Sequence, residues 1–399
     1  MNREFPVILL NKNSPAPFDT LWNRHFLFLD LSLFLMFANI GLLYLYPLAL
    51  KAMGGGPHTI GWVMGAFSIS AVLSRPLMGK LAVLKGESWV ISAGMALSLV
   101  SSLSYLFITA FGPLMLLIRV THGLGFSAVI AGSFSMVAKG ASPLRRGAAF
   151  SMVGASLMAA IALAPSVGEV LIGRYGFAAL YMAAAGAVIL GWVSVMLGIG
   201  RVHTSVDKDE KGTVGYLPLL RDRPFFFLLC STFIFAHSQA TLTNFLALIA
   251  AKHDAAAGPF FFFSYLSAII VLLTLGRLLD RYGNLFLTYL SYPFLCLGIL
   301  LVPGTLASPL FLITAVMFGA GMGLLFATHN AMAASHGSFR EKPAIMSLFT
   351  GIYDSGFITG AVVSGWVAHQ VGMDMLFISS GFFTFLGLLI ALFSPMKDV

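Results

Sequence analysis

The chain has 399 residues, 58% of them hydrophobic and only 10% charged, with a formal net charge of +8 and two cysteines. An ordinary soluble domain carries roughly 25% charged residues, so this composition excludes a water-soluble globular protein and names a lipid bilayer as the solvent. The positive balance does not point to nucleic acid, because basic cytoplasmic loops produce the same excess in membrane proteins.

Residues Met1 to Arg24 are polar and proline-bearing and lack the apolar core of a cleaved signal. A spanning helix takes about 20 mostly apolar residues. Runs that meet this length occupy 26–50, 58–83, 88–110, 112–137, 146–171 and 176–199. The charged stretch RVHTSVDKDEKGTVGYLPLLRDR follows, and then come 224–250, 258–279, 284–303, 307–332, 344–368 and 373–394. The predicted organisation is an all-α polytopic protein of twelve spans. A first bundle covers 1–200, a cytoplasmic linker 201–223 and a second bundle 224–399. With the N-terminus inside, the inner segments hold 18 Lys and Arg, while the outer loops hold Lys51, Arg174 and Lys252. That bias predicts both termini in the cytoplasm of a bacterial-style inner membrane. Arg75 and Arg119 fall within spans. Cys230 and Cys296 lie in apolar runs and read as ordinary membrane-buried thiols.

The halves repeat at an offset near 197. Gly79 in GKLAVLKG matches Gly276 in GRLLDRYG, and Gly123 and Gly125 match Gly319 and Gly321. Gly154 matches Gly351, Gly168 matches Gly365, and the loops SPLRRGAAFS and SFREKPAIMS fall at the same place in each half. Parallel six-span repeats about a linker describe a transporter built from two rocking bundles.

On these features the chain resembles the major facilitator superfamily over essentially its whole length. The loop after span 2 resembles the family's G-x-L-a-D-r-x-G signature, with Val83 and Leu84 in place of the acid and the arginine. The second copy keeps Gly276, Asp280, Arg281 and Gly283. The resemblance implies a cytoplasmic latch in which Asp280 lies against the start of span 5, near Arg145 and Arg146. A negative charge is favoured at such a helix N-terminus. The alternative for Asp280 is a solvated loop charge. RVTHGLGF resembles the fourth-span motif, and APSVGE resembles the fifth-span motif of antiporters through Pro165 and Gly168, with Ala164 and Glu169 replacing glycines. Within the family the chain looks most like the twelve-span efflux branch.

Ionisable groups inside a bilayer are costly and read as functional by default. At about 1.5 Å per residue, Asp354 in IYDSGFITG falls roughly mid-membrane, with no basic neighbour on its own span and Leu157 as its repeat-mate. It reads as a proton or substrate-cation site, or as a structural charge partner. Arg119 reads as a substrate or proton-relay group, or as a packing anchor bonded to carbonyls. Asp30, near the inner end of span 1, reads as a proton acceptor or a snorkelling carboxylate. Asn39, His122, His237, Gln239, Asn244 and Tyr353 are expected to line the substrate cavity. Brought together, the histidines and Asp354 would form a relay; apart, each histidine is a hydrogen-bonded packing residue. His329 and Asn330 are placed at the cytoplasmic mouth. Glu169 reads as the rim of the outer mouth, with a gate as the alternative. PFFFFSYL, Pro259 to Leu266, reads as lipid-facing, with an aromatic stacking platform as the alternative.

No G-x-S-x-G, Walker loop or H-E-x-x-H occurs, so no enzyme, cofactor or ATP coupling is expected. A metal site is not expected either, because the ligand types are scattered. The predicted function is proton-coupled export of a small organic molecule by a monomer. Its partners are that substrate, protons and lipid. Uptake of a solute or anion, and transport of a metal ion or chelate, are the alternatives.

Overall fold

The computed structural model describes residues 23–141, 145–198, 216–338 and 341–393, with the side chains of residues 146, 216, 275–281 and 343 also outside the description. Those residues form helices and short turns. α1 (Arg24–Leu42) continues through a tight turn at Leu43–Leu45 into α2 (Tyr46–Ala52). Pro47 has no N–H for the carbonyl four residues back, and a shorter bond from Tyr46 N to Leu43 O marks the break. Next come α3 (Pro57–Lys85), α4 (Glu87–Ser104), α5 (Leu114–Gly140) and α6 (Arg146–Gly198). α6 is two helices broken at Gly176, whose φ of 77° suits glycine alone among common residues. The second half holds α7 (Tyr216–Arg221), α8 (Arg223–Lys252), α9 (Gly258–Tyr282), α10 (Asn284–Leu300), α11 (Val302–Thr305), α12 (Leu310–Ser335), α13 (Lys342–Val371) and α14 (Met373–Leu392).

Nine helices among the described residues are long and apolar enough to cross a membrane, the broken α6 counting once, and shorter apolar helices cover Gly258–Thr274 and Asn284–Leu300. Each of the twelve predicted runs overlaps a helix or half of α6.

The repeat is visible in the packing. A methyl group at Gly125 would sit 2.8 Å from Gly94 O on α4, and one at Gly321 would sit 2.8 Å from Ser291 O on α10. Gly123 abuts the Phe67 carbonyl of α3, and Gly319 abuts the Ser264 carbonyl of α9. The matched glycines therefore let matched helices approach, which is how membrane bundles gain packing energy without a hydrophobic drive. In the first half α1 packs on α6, and α5 packs on α3 and α4. In the second half α8 packs on α13 and α14, and α12 packs on α9 and α10. Helices of the two halves of the repeat meet along α3–α13, α6–α9 and α2–α8.

The expected latch falls largely outside the description. The side chains of Gly276, Asp280, Arg281 and Arg146 are not described, nor is the linker from 201 to 215. Gly79 has open space around it, and Gly283 caps the start of α10 at φ 76°.

Candidate functional site

Between the halves lies a cavity of about 320 Å³. The first half contributes a mostly apolar wall from α1, α3, α5 and α6, including Phe37, Phe67, Phe126 and Ile161 together with Arg75 and Arg119. The second half contributes a more polar wall, with Gln239, Thr243 and Asn244 from α8, Tyr265 from α9, and Tyr353 and Asp354 from α13. Tyr353 OH donates to Gln239 Oε1 at 2.8 Å, so these two polar groups hold each other in place. The volume is near the low end for small-molecule pockets.

Asp354 forms an ion pair with Arg75 of α3, which joins the two halves through the cavity wall. Its cation therefore comes from 279 residues away in the chain. The carboxylate side chain is 13% exposed and the arginine 40%. Asp354 is held in position by its own helix. A methyl group at Gly360 would meet His237 O at 2.5 Å, and one at Gly356 would meet Phe233 O at 2.7 Å, so α13 lies close against α8 on that side. Gly351 meets nothing.

The halves come together at the end opposite the start of α1 and the end of α14. Gly61 and Gly365 cross so tightly that a methyl at Gly61 would sit 2.6 Å from Ala361 O and 2.9 Å from Gly365 Cα. Both oxygens of Glu169 accept from the N-terminus of α9, Oε1 from Ala257 N at 2.5 Å and Oε2 from Gly258 N at 2.9 Å. Phe261 packs on Tyr44 with ring centroids 5.5 Å apart.

Residues 29–337 and 261–398 match the family profile of the Major Facilitator Superfamily. The chain belongs to this superfamily. An uncharacterised transporter of the superfamily from Methanocaldococcus jannaschii is 22% identical over 349 residues, covering 84% of this chain and 88% of that protein. The quinolone resistance protein NorA of Staphylococcus aureus is 26% identical over 198 residues, 49% of each chain. Among solved structures, a variant of the nucleoside transporter NupG superposes with a TM-score of 0.78 at 14% identity, covering 92% of this chain and 99% of that one. Superfamily members are transporters, so the cavity is the place to look for substrate.

Arg119, Gln239, Asn244, Tyr353 and Asp354 line that cavity. Asn39, His122, His237 and Asp30 are not among its lining residues. Asn39 and His122 belong to a buried network inside the first half. Asn39 Nδ2 donates to Ser102 Oγ and to Ala184 O, both at 2.9 Å. Its Oδ1 can then only accept, so His122 donates through Nε2 at 2.9 Å. His122 Nδ1 is left to accept from Tyr105 OH at 3.3 Å. The second half has a counterpart on the equivalent helices: His329 lies 3.2 Å from Ser231 Oγ and from Thr232 Oγ1. Tyr292 OH completes it by donating to Ser231 O at 2.9 Å. His329 is 1% exposed, so it faces the interior of its half rather than a mouth.

These clusters tie spans together. Asn39→Ala would strand the buried His122 and Ala184 partners at about 1–3 kcal/mol for each group left unsatisfied. The expected result is a lowered melting temperature in detergent with the substrate KM unchanged.

His237 sits in the packing between α8, α13 and α14. Thr359 Oγ1 donates to Gly356 O, so it accepts from His237 Nδ1 at 3.0 Å. The His237 ring lies 4.8 Å from that of Phe383. Asp30 faces α6 beside the Ser156 hydroxyl. The histidines and Asp354 are therefore in separate places, and no relay joins them directly. Phe260 and Phe261 are 0% and 1% exposed, which corrects the lipid-facing reading of PFFFFSYL at these two positions, while Leu266 is exposed. Pro165 and Gly168 lie within α6. Gly168 packs on Leu42, Leu45 and Leu180 in its own half. The residue that sequence reasoning left unassigned is Arg75. An arginine within a span was a signal, but nothing local pointed to its partner.

Proposed function

We propose that this chain is a proton-coupled secondary transporter that carries a small organic molecule through the cavity between its halves. Residues 1–200 and 224–399 move as two bundles joined by the linker 201–223, in an inner membrane with both termini in the cytoplasm. The end closed by Gly61, Gly365 and Glu169 is then the outer face. The single observation that carries the reading is the Arg75–Asp354 pair, a titratable carboxylate in the cavity that ties one half to the other. A proton on Asp354 removes the charge that holds Arg75, so protonation changes the relative energies of states in which the halves are joined or separated there. Such a difference is what coupling requires, because a ligand bound equally well by both states shifts nothing.

Export is the direction that the Pro165 and Gly168 motif supports, and it accords with the quinolone resistance for which the partly similar NorA is named. Uptake is a second reading, favoured by the charged lining: Arg75 and Arg119 against Asp354 leave one net positive charge, which suits an anion. Reconstitution into proteoliposomes with an imposed pH gradient and a lumenal pH dye tests the proposal. Substrate flux that moves with, or against, a matching proton flux supports it and fixes the direction. Flux indifferent to the pH gradient and to lumenal pH overturns proton coupling.

Glu169 gives an independent check on alternating access. A carboxylate on a helix N-terminus is worth about 0.3–2 kcal/mol, and here it joins α6 to α9 across the halves. Glu169→Gln keeps the shape but loses the charge. It is expected to raise the rate at which an impermeant maleimide reaches a cysteine placed at Asn244 from outside. Cys230 and Cys296 would first be replaced. An unchanged rate would remove Glu169 from the outer closure.

A further inference from the structure

We propose that the transported molecule is an aromatic organic anion whose acidic group binds Arg119. This deepens the transporter reading above and rests on it. Arg119 is 4% exposed and lines the cavity. A guanidinium has five N–H donors, and those of Arg119 are poorly used. Arg119 Nε donates to Val63 O at 3.4 Å, and Nη2 approaches the Met64 thioether, a weak acceptor, also at 3.4 Å. The remaining company is the Tyr105 hydroxyl beside it and the rings of Phe67 and Tyr46, with centroids 4.9 and 5.7 Å from the guanidinium carbon.

No carboxylate pairs with Arg119 among the described residues. The acids nearest in role are engaged elsewhere: Asp354 with Arg75, Glu87 with Lys139, Asp374 with Lys252, and Glu169 with the start of α9. A buried cation without a counter-charge is costly. A carboxylate entering the cavity supplies that charge and can take two parallel N–H bonds from the guanidinium. Ring faces already stack around this charge, and Phe37, Phe67 and Phe126 extend the aromatic wall. Gln239 and Asn244 on the opposite wall offer hydrogen bonds to a polar edge. A cavity of about 320 Å³ suits one or two fused rings bearing an acid.

The test is ligand-induced thermal stabilisation of the purified full-length protein in detergent, which requires no flux. The probes are naphthoate, naphthamide and naphthylmethylammonium, which share a ring system and differ in charge. Naphthoate is expected to bind the unaltered protein at least about tenfold more tightly than the amide, and the ammonium more weakly still. Arg119→Gln should abolish that preference and Arg119→Lys should keep part of it. Because the ligand series needs no variant, a poorly folded Arg119→Gln leaves the test intact. Equal binding of amide and acid, or no naphthoate binding at millimolar concentration, overturns the anion assignment. Naphthoate binding without any flux would leave the assignment standing and refute the transport reading instead. Flux of neutral molecules with no anion preference would do the reverse.

Discussion

Asp354→Asn is expected to lower gradient-driven transport by roughly 5–150-fold, the range set by a coupling free energy of about 1–3 kcal/mol, while substrate exchange at equal pH continues. Asparagine keeps the size of the side chain and a hydrogen-bond acceptor for Arg75. It removes the proton site and the charge. Folding should therefore survive, and the loss should fall on the step that senses the gradient. Arg75→Gln should behave differently, because it leaves the Asp354 carboxylate in the cavity wall without its cation. Removing one partner of a fully buried pair costs about 3–5 kcal/mol. The cost here should be smaller, because the Arg75 side chain is 40% exposed. The double variant should be more stable than the two single losses added together, since the two groups are in contact. Melting temperatures of the four proteins give the coupling energy. Gradient-driven flux at the normal rate in Asp354→Asn would end its assignment as the coupling site.

The second large effect separates closure between halves from packing within one. Gly61→Leu drives a side chain against the Ala361 carbonyl and Gly365, at the crossing of α3 and α13. Gly319→Leu drives one against the Ser264 carbonyl, between α12 and α9 of a single half. Over-packing costs typically about 1–3 kcal/mol, and a backbone atom in the way leaves little room for relief. For Gly61→Leu that cost falls only on the state in which the halves meet at this end. The protein should fold, stall in transport, and expose a cysteine at Asn244 to outside maleimide more readily, by about tenfold for each 1.4 kcal/mol. For Gly319→Leu the cost falls on every state, so the expected result is low yield and a depressed melting temperature. If Gly61→Leu instead failed to fold, or left labelling unchanged, the crossing would be structural rather than a gate.

Apolar run lengths and the Lys and Arg bias gave the twelve segments and their proposed orientation, because a bilayer imposes length and hydrophobicity on each helix separately. The glycine repeat marked small residues at matched places in the two halves, where membrane helices can approach closely. Gly123 with Gly319, and Gly125 with Gly321, indeed abut equivalent helices. Of the residues singled out in the sequence, Arg119, Gln239, Asn244, Tyr353 and Asp354 line the cavity, while most of its wall is apolar and carried no signal of its own.

Depth along a helix does not give rotation about it, and rotation is set by what the neighbouring helices offer. Asn39, His122 and His237 had the right depth, yet each turns toward a donor or acceptor on a helix of its own half. Phe260 and Phe261 looked like lipid-facing residues and are buried, because α9 packs on α6 and α12. Asp354 shows the division most clearly. Composition alone made it an anomaly, one acid with no basic residue on its own span. Only the tertiary structure supplied Arg75, because a charge pair depends on distance in space and its two members sit on different halves of the repeat.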